Sequence, residues 1–139
     1  MEFGIVGLGR MGGNMARRLA RKGIRIAVHN RSHAVSEAIA AETGHHPSAT
    51  LQEMVAALQA PRIVWLMLPA GEATEAALDA LLPLLSPGDL VVDGANAHFK
   101  DDAPRAVRCA EYGVEFADAG VSGGVWGLDN GYCIMFGGS

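Results

Sequence analysis

The segment Gly7-Leu8-Gly9-Arg10-Met11-Gly12 constrains the fold of this chain more than any other. Its pattern, G-x-G-x-x-G, means little alone, so the neighbours decide. Phe3-Gly4-Ile5-Val6 before it reads as a short buried strand. Residues 10–22 after it read as a helix, with Met11, Met15 and Leu19 recurring every four positions and Arg17, Arg18, Arg21 and Lys22 facing away. Gly23 ends that helix, and Ile24 to Val28 alternates like a second strand. A glycine-rich turn inside such a strand-helix-strand unit has a physical reading. Gly7 permits the tight turn, Gly9 lets a pyrophosphate approach the backbone, and Gly12 lets the helix pack on the strand. The amides at the helix start, with Leu8, Arg10 and Met11 between the glycines, then face the phosphates of a dinucleotide.

The rest of the chain continues the alternation. Helices are expected over 33–42, 50–58, 72–82 and 102–112, the second opened by Thr50 with Glu53 three residues on, a capping box. Strands are expected at Ile63–Leu68, whose six apolar residues suit burial on both faces, at Leu90–Val92, at Val114–Ala117 and at Cys133–Phe136. Strands alternating with helices imply an α/β, doubly wound parallel sheet of the Rossmann type, a single dinucleotide-binding domain over residues 1–139.

Composition narrows the function. Eleven basic against fifteen acidic residues give a net charge of -4, which speaks against the broad basic face of a nucleic-acid binder. Met1 leads directly into a strand-like segment, with neither a secretory leader nor a long apolar span, so the expected setting is the cytoplasm, away from membranes. Two cysteines, Cys109 and Cys133, form no redox or metal motif and read as free thiols.

The end of the second strand reads the cofactor. An NAD site places Asp or Glu there to bond the ribose 2′-hydroxyl. This chain has Asn30, Arg31 and Ser32, which withhold the carboxylate and offer a guanidinium and a hydroxyl to a 2′-phosphate, so NADP is expected, with NAD the alternative. Other short polar or glycine-rich segments each follow a strand: Leu68-Pro69-Ala70-Gly71, Gly94-Ala95-Asn96 and Gly120-Val121-Ser122-Gly123-Gly124. Ligands of doubly wound sheets bind beyond the strands' carboxyl ends, so these segments should line one crevice. His45-His46 reads as a solvated loop, His29 and His33 as packing and surface residues, Trp65 as core, and Trp126 as a pocket wall; no metal site is expected. Asp101-Asp102 complements the positive end of a helix dipole.

Taken in order, Gly7 to Gly12, Asn30-Arg31-Ser32, Leu66 to Gly71, Asp93-Gly94-Ala95-Asn96 and Val121-Ser122-Gly123-Gly124 resemble the NAD(P)-binding domain of decarboxylating 6-phosphogluconate dehydrogenases. The continuation Val125 to Tyr132 is similar to the shorter, bacterial-type branch. The resemblance implies an oxidoreductase of the pentose phosphate pathway and gluconate utilisation, which oxidises the C3 hydroxyl of 6-phosphogluconate and decarboxylates the product to ribulose 5-phosphate. It implies that Leu68, Pro69 and Ala70 run beside the nicotinamide ribose. By the same resemblance, Asn96 touches cofactor and substrate, and Ser122, Gly123 and Gly124 bind the sugar acid.

Two positions depart from the family pattern: Ala95 stands where Gly is usual, and the shorter branch often has Asp at the Asn30 position and prefers NAD. The family's proton-transfer lysine lies in an all-helical second domain, expected to be absent here because Lys22 and Lys100, the only lysines, match neither its place nor its setting. No catalytic residue is therefore assigned within this chain, which is expected to be inactive alone, whether an engineered piece or a truncated product. The full-length enzyme is expected to be a homo-oligomer. The alternatives are the cofactor domain of a β-hydroxyacid dehydrogenase, against which Asn96 argues because Ser or Thr is usual there, and a non-catalytic nucleotide-binding module.

Overall fold

The computed structural model describes residues 3–68, 72–94, 102–122 and 133–138. Seven strands, β1 (Gly4–Val6), β2 (Ala27–His29), β3 (His46–Pro47), β4 (Ile63–Leu66), β5 (Leu90–Asp93), β6 (Glu115–Ser122) and β7 (Cys133–Gly138), form one sheet in the order β3-β2-β1-β4-β5-β6-β7. Five helices accompany them: α1 (Arg10–Arg21), α2 (His33–Thr43), α3 (Leu51–Ala57), α4 (Glu72–Leu81) and α5 (Asp102–Glu111). The strand order reverses between β1 and β4, where a doubly wound sheet opens its crevice.

Side-chain alternation along the strands explains why helices cover both faces. Val6, Val64, Leu66 and Val91 point into one core with Met54, Val55, Leu78 and Leu81 of α3 and α4. Their neighbours Ile5, Trp65 and Val92 point into a second core with Met15, Ala16 and Ile39 of α1 and α2. A strand apolar on both sides can be buried only between two layers, as the unbroken run at Ile63–Leu66 requires. Local signals set the helix boundaries. Thr50 Oγ1 accepts from the Glu53 amide at 3.1 Å, and Glu53 Oε2 accepts from the Ala49 amide at 2.9 Å, so the expected capping box opens α3. Pro83 ends α4 by opening a 3-10 turn, Leu82–Leu84.

Several expectations require correction. The sheet is not wholly parallel: β1 to β6 run parallel, but β7 pairs antiparallel with β6 across Ser122↔Cys133 to Ala117↔Gly138. That pairing extends β6 through Gly120-Val121-Ser122, which had read as loop. β2 begins at Ala27 rather than Ile24, and β4 ends at Leu66 rather than Leu68. His45-His46 is no solvated loop. His46 and Pro47 form the edge strand β3, parallel to β2, and an edge is where proline is tolerated. His45 is buried: its Nε2 donates to the Ala16 carbonyl at 2.7 Å and its Nδ1 accepts from the Ile26 amide at 3.3 Å. Burial lowers its pKa below 6.5, opposed by the hydrogen bond to Ala16.

Among the described residues, no helix is long and apolar enough to cross a membrane, and no group of three or more His, Cys, Asp or Glu could hold a metal ion. Cys109 is buried and its thiol is pushed up to about 11 by that burial, which makes it an inert core residue at neutral pH.

Candidate dinucleotide site

The three fingerprint glycines occupy three distinct environments. Gly7 has φ +98°, a region that side chains disfavour, and a Cβ there would lie 2.5 Å from the Met67 carbonyl oxygen. Gly12 sits where the first turn of α1 presses on the end of β1; a Cβ would lie 1.9 Å from the Gly7 carbonyl oxygen. Gly9 is different: a Cβ there would meet nothing within 4 Å. Neither steric crowding nor a positive φ demands glycine at position 9, because its φ is -66°. The open space over it, beside the N-terminus of α1 that it caps, suits a group approaching the backbone from outside. Gly9 brings no side-chain cap to the first amides of α1, which keeps them available to phosphate oxygens.

The end of β2 grips this turn at consecutive amides. Gly7 N–H donates to the His29 carbonyl at 2.8 Å, and Leu8 N–H donates to Asn30 Oδ1 at 2.9 Å. Asn30 Nδ2 turns toward the Ser32 carbonyl at 3.4 Å. Asn30 thus couples the glycine turn to the end of β2. Arg31 beside it is exposed and, among the described residues, has no carboxylate partner. Arg17, Arg62, Arg105 and Arg108 differ: each is paired, with Glu42, with Asp89, with Asp93 and Glu75, and with Glu75 and Asp79 respectively. Ser32 stands at the N-cap of α2, exposed and making no capping bond. Position 31–32 therefore offers an uncommitted guanidinium and an uncommitted hydroxyl side by side.

Next to them lies a cavity of about 330 Å³ lined by Val6, His29, Arg31, Leu51, Leu68, Ala73, Ala76 and Ala77. Alanines at 73, 76 and 77 bring one face of α4 close without filling the slot. Its lining is mostly apolar, with Arg31 its charged member, a composition that suits the adenosine half of a dinucleotide. His29, read from sequence as packing, lines this cavity, and its Nδ1 donates to the Ser48 carbonyl at 2.9 Å. No sequence signal identifies the contribution of Leu51 or the α4 alanines, since each is ordinary at its own position.

Of the other expected site residues, Leu68 is half-buried at the cavity wall, and Gly94 is buried at the end of β5. A Cβ on Gly94 would lie 2.6 Å from Met67 Sδ, so glycine there lets the backbone after β5 pass close to Met67 and Trp65. Ser122 is the last residue of β6. Arg10 and Met11 open α1. Pro69, Ala70, Asn96, Gly123 and Gly124, with Trp126 and Lys100, lie outside the described residues.

An ion-pair network that sequence reasoning missed fixes the end of β5. Arg105, buried in α5, donates to Asp93 Oδ2 at 2.9 Å and to Glu75 Oε1 at 2.6 Å; Asp93 is fully buried. Arg108 closes the network onto Glu75 and Asp79. The hydrogen bond from Arg105, then that from Arg108, holds the Glu75 carboxyl below its ordinary range against the effect of burial. The network ties α4 and α5 to Asp93, the last residue of β5.

A doubly wound sheet, a glycine turn shaped for phosphate and an adjoining apolar slot define the class: a dinucleotide-binding domain. Within that class, the chain belongs to the family described as the NAD binding domain of 6-phosphogluconate dehydrogenase, whose model matches residues 2–139. It is 40% identical over 140 residues to a decarboxylating 6-phosphogluconate dehydrogenase of Lactococcus lactis and 38% identical to one of Staphylococcus aureus, in each case covering 99% of this chain and 30% of the relative. The chain thus spans about a third of the length of these relatives. Among solved structures, it superposes with a TM-score of 0.93 on the 6-phosphogluconate dehydrogenase of Plasmodium falciparum, at 31% identity, covering all of this chain and 31% of the other; that enzyme is described with its cofactor NADP+ and with its substrate. A 3-hydroxyisobutyrate dehydrogenase of Mycobacterium tuberculosis follows with a TM-score of 0.85 at 27% identity, covering 99% of this chain and 46% of that one.

Proposed function

We propose that this chain binds NADP and serves as the cofactor domain of a decarboxylating 6-phosphogluconate dehydrogenase, working in the cytoplasm within a homo-oligomeric enzyme. The carrying observation is that the end of β2 bonds to the open glycine turn through Asn30 and then presents Arg31, without a carboxylate partner among the described residues, to an apolar slot. When bound, the nicotinamide accepts the hydride. The domain's own part is binding and orientation. The amides of Leu8 to Gly12 would hold the pyrophosphate, and Arg31 with Ser32 would hold the 2′-phosphate. Leu68, Pro69 and Ala70 would carry the nicotinamide ribose along the end of β4. The buried Arg105–Asp93 pair would hold the end of β5 so that Asn96, three residues further along the chain, meets cofactor and substrate. Ser122, Gly123 and Gly124, at the end of β6, would receive the sugar acid. What supports these last assignments is the family resemblance of the motifs and their common position after strand ends.

Proton transfer is assigned to a lysine of the all-helical domain of the longer enzymes. General acid-base help is worth roughly 10²- to 10⁴-fold in rate, so the 139-residue chain alone should bind NADP without turning over 6-phosphogluconate. Calorimetric titration with NADP, followed by an absorbance assay for NADPH, tests both halves. Absence of NADP binding would overturn the cofactor reading. NADPH formation at the rate of a full-length relative would overturn the assignment of the base.

A further inference from the structure

We propose that His29 selects the adenine base by accepting a hydrogen bond from its exocyclic amino group; this rests on the dinucleotide reading of the site. The cavity beside the glycine turn has apolar walls from Leu68, Ala73 and Ala77, and among the described residues its polar side chains are His29 and Arg31. Few polar groups in an apolar slot fix a ligand's orientation. Their hydrogen-bond roles differ. A guanidinium has donors and no acceptor, so Arg31 cannot receive a proton from the base. An uncharged imidazole carries one proton, and here the Ser48 carbonyl, which can only accept, takes it at Nδ1 with a separation of 2.9 Å. Nε2 is thereby left as an acceptor, on the side of the ring turned away from Ser48, and among the described residues it has no partner. His29 is the last residue of β2, directly before the Asn30-Arg31-Ser32 segment that reads the adenosine ribose, so the base attached to that ribose falls within its reach.

The match is chemical as well as positional. Adenine presents an amino donor at its 6-position, whereas hypoxanthine and guanine present an oxygen acceptor there, which would oppose the Nε2 lone pair. A site built to hydrogen-bond one group discriminates against an analogue lacking it, because the site's polar atom is then left unpaired.

The test compares NADP with its hypoxanthine analogue by calorimetric titration of the chain, and repeats both titrations on His29→Leu and His29→Gln. Wild type should prefer NADP by about 3- to 10-fold, the equivalent of one neutral hydrogen bond. His29→Leu should bind the two dinucleotides equally, while His29→Gln, whose amide oxygen can accept, should restore part of the preference. Equal wild-type affinity for the two, a result that needs no variant to fold, would overturn the proposal and leave dinucleotide binding standing. An unchanged preference in His29→Leu would overturn it as well. Failure of wild type to bind either compound would sink the dinucleotide reading itself, and this inference with it.

Discussion

Replacing Arg31 by alanine should reduce the preference of this domain for NADP over NAD, and the structure supplies the size of the effect. Arg31 is exposed and lines the slot proposed for the adenosine, and no carboxylate among the described residues has to release it before it meets a ligand. A 2′-phosphate carries about -1.5 to -2 charges near neutral pH. The attraction between unit charges at about 4 Å lies between about 1 kcal/mol in bulk water and about 4 kcal/mol near a protein surface. Charge-assisted hydrogen bonds contribute about 1.5–3 kcal/mol net, and exposure places Arg31 toward the lower part of that range. Loss of the guanidinium should therefore weaken NADP binding by about 10- to 30-fold. Both dinucleotides would also lose a stacking contact of about 0.5–1 kcal/mol, or roughly 2- to 5-fold, which cancels in the ratio and is all that NAD, lacking the phosphate, would lose. Asn30→Asp should move the ratio the same way by repulsion, while leaving the turn intact, because Asp keeps an acceptor for Leu8 N–H. Titration of wild type and both variants with each dinucleotide, at low and at higher salt, checks the argument; the NADP term should shrink as screening increases. A ratio unchanged by Arg31→Ala at both salt levels would refute it.

The environments of Gly9 and Gly12 predict opposite failures. Gly12→Ala should cost at least about 3 kcal/mol in a urea titration, since its Cβ would collide with the Gly7 carbonyl, whereas Gly9→Ala should leave stability within about 0.5 kcal/mol and still weaken dinucleotide binding. His45 makes stability pH-dependent. Its folded pKa lies below its ordinary 6.5, so its contribution is complete above 6.5 and is lost as pH falls through the folded value; urea midpoints measured from pH 7.5 down to 5 should fall, and fall less in His45→Gln. Arg105→Met should destabilise the domain by about 3–5 kcal/mol, because it strips the guanidinium from the buried Asp93, and Asp93→Asn added to it should recover part of that loss in the same assay.

What was legible in the sequence depends on how far apart the interacting groups are. The need for glycine at Gly7 and Gly12 was readable because it is settled within six residues of chain and one helix start. The two-faced burial of β4 was readable from its unbroken apolar run. β3 was not: two residues, one of them proline, have no periodicity, and only the free edge of β2 makes them a strand. The direction of β7 was hidden for a related reason, since apolar alternation is the same in parallel and antiparallel pairs. His45 looked like a loop residue because its partners, Ile26 and Ala16, stand 19 and 29 positions away. At the site, the polar ends of β2 were legible by type, while the slot they border was not. It is assembled from Leu51, Leu68 and the alanines of α4, none of which carries a chemical signature.

The bond from Leu8 N–H to Asn30 Oδ1 has a bearing on how cofactor preference can change over time. Because the residue proposed to stand beside the ribose also holds the glycine turn, position 30 cannot drift freely. A side chain there must keep a short acceptor at the same reach or slacken the grip on every dinucleotide, whichever one is favoured. Asn and Asp both satisfy that demand, and their codons differ by a single base. The passage between NADP and NAD is then a step between two neighbouring genotypes, with no poorly binding intermediate to cross. Larger replacements at the same place, however well they suit one ribose, would have to be preceded by a new support for the Leu8 amide.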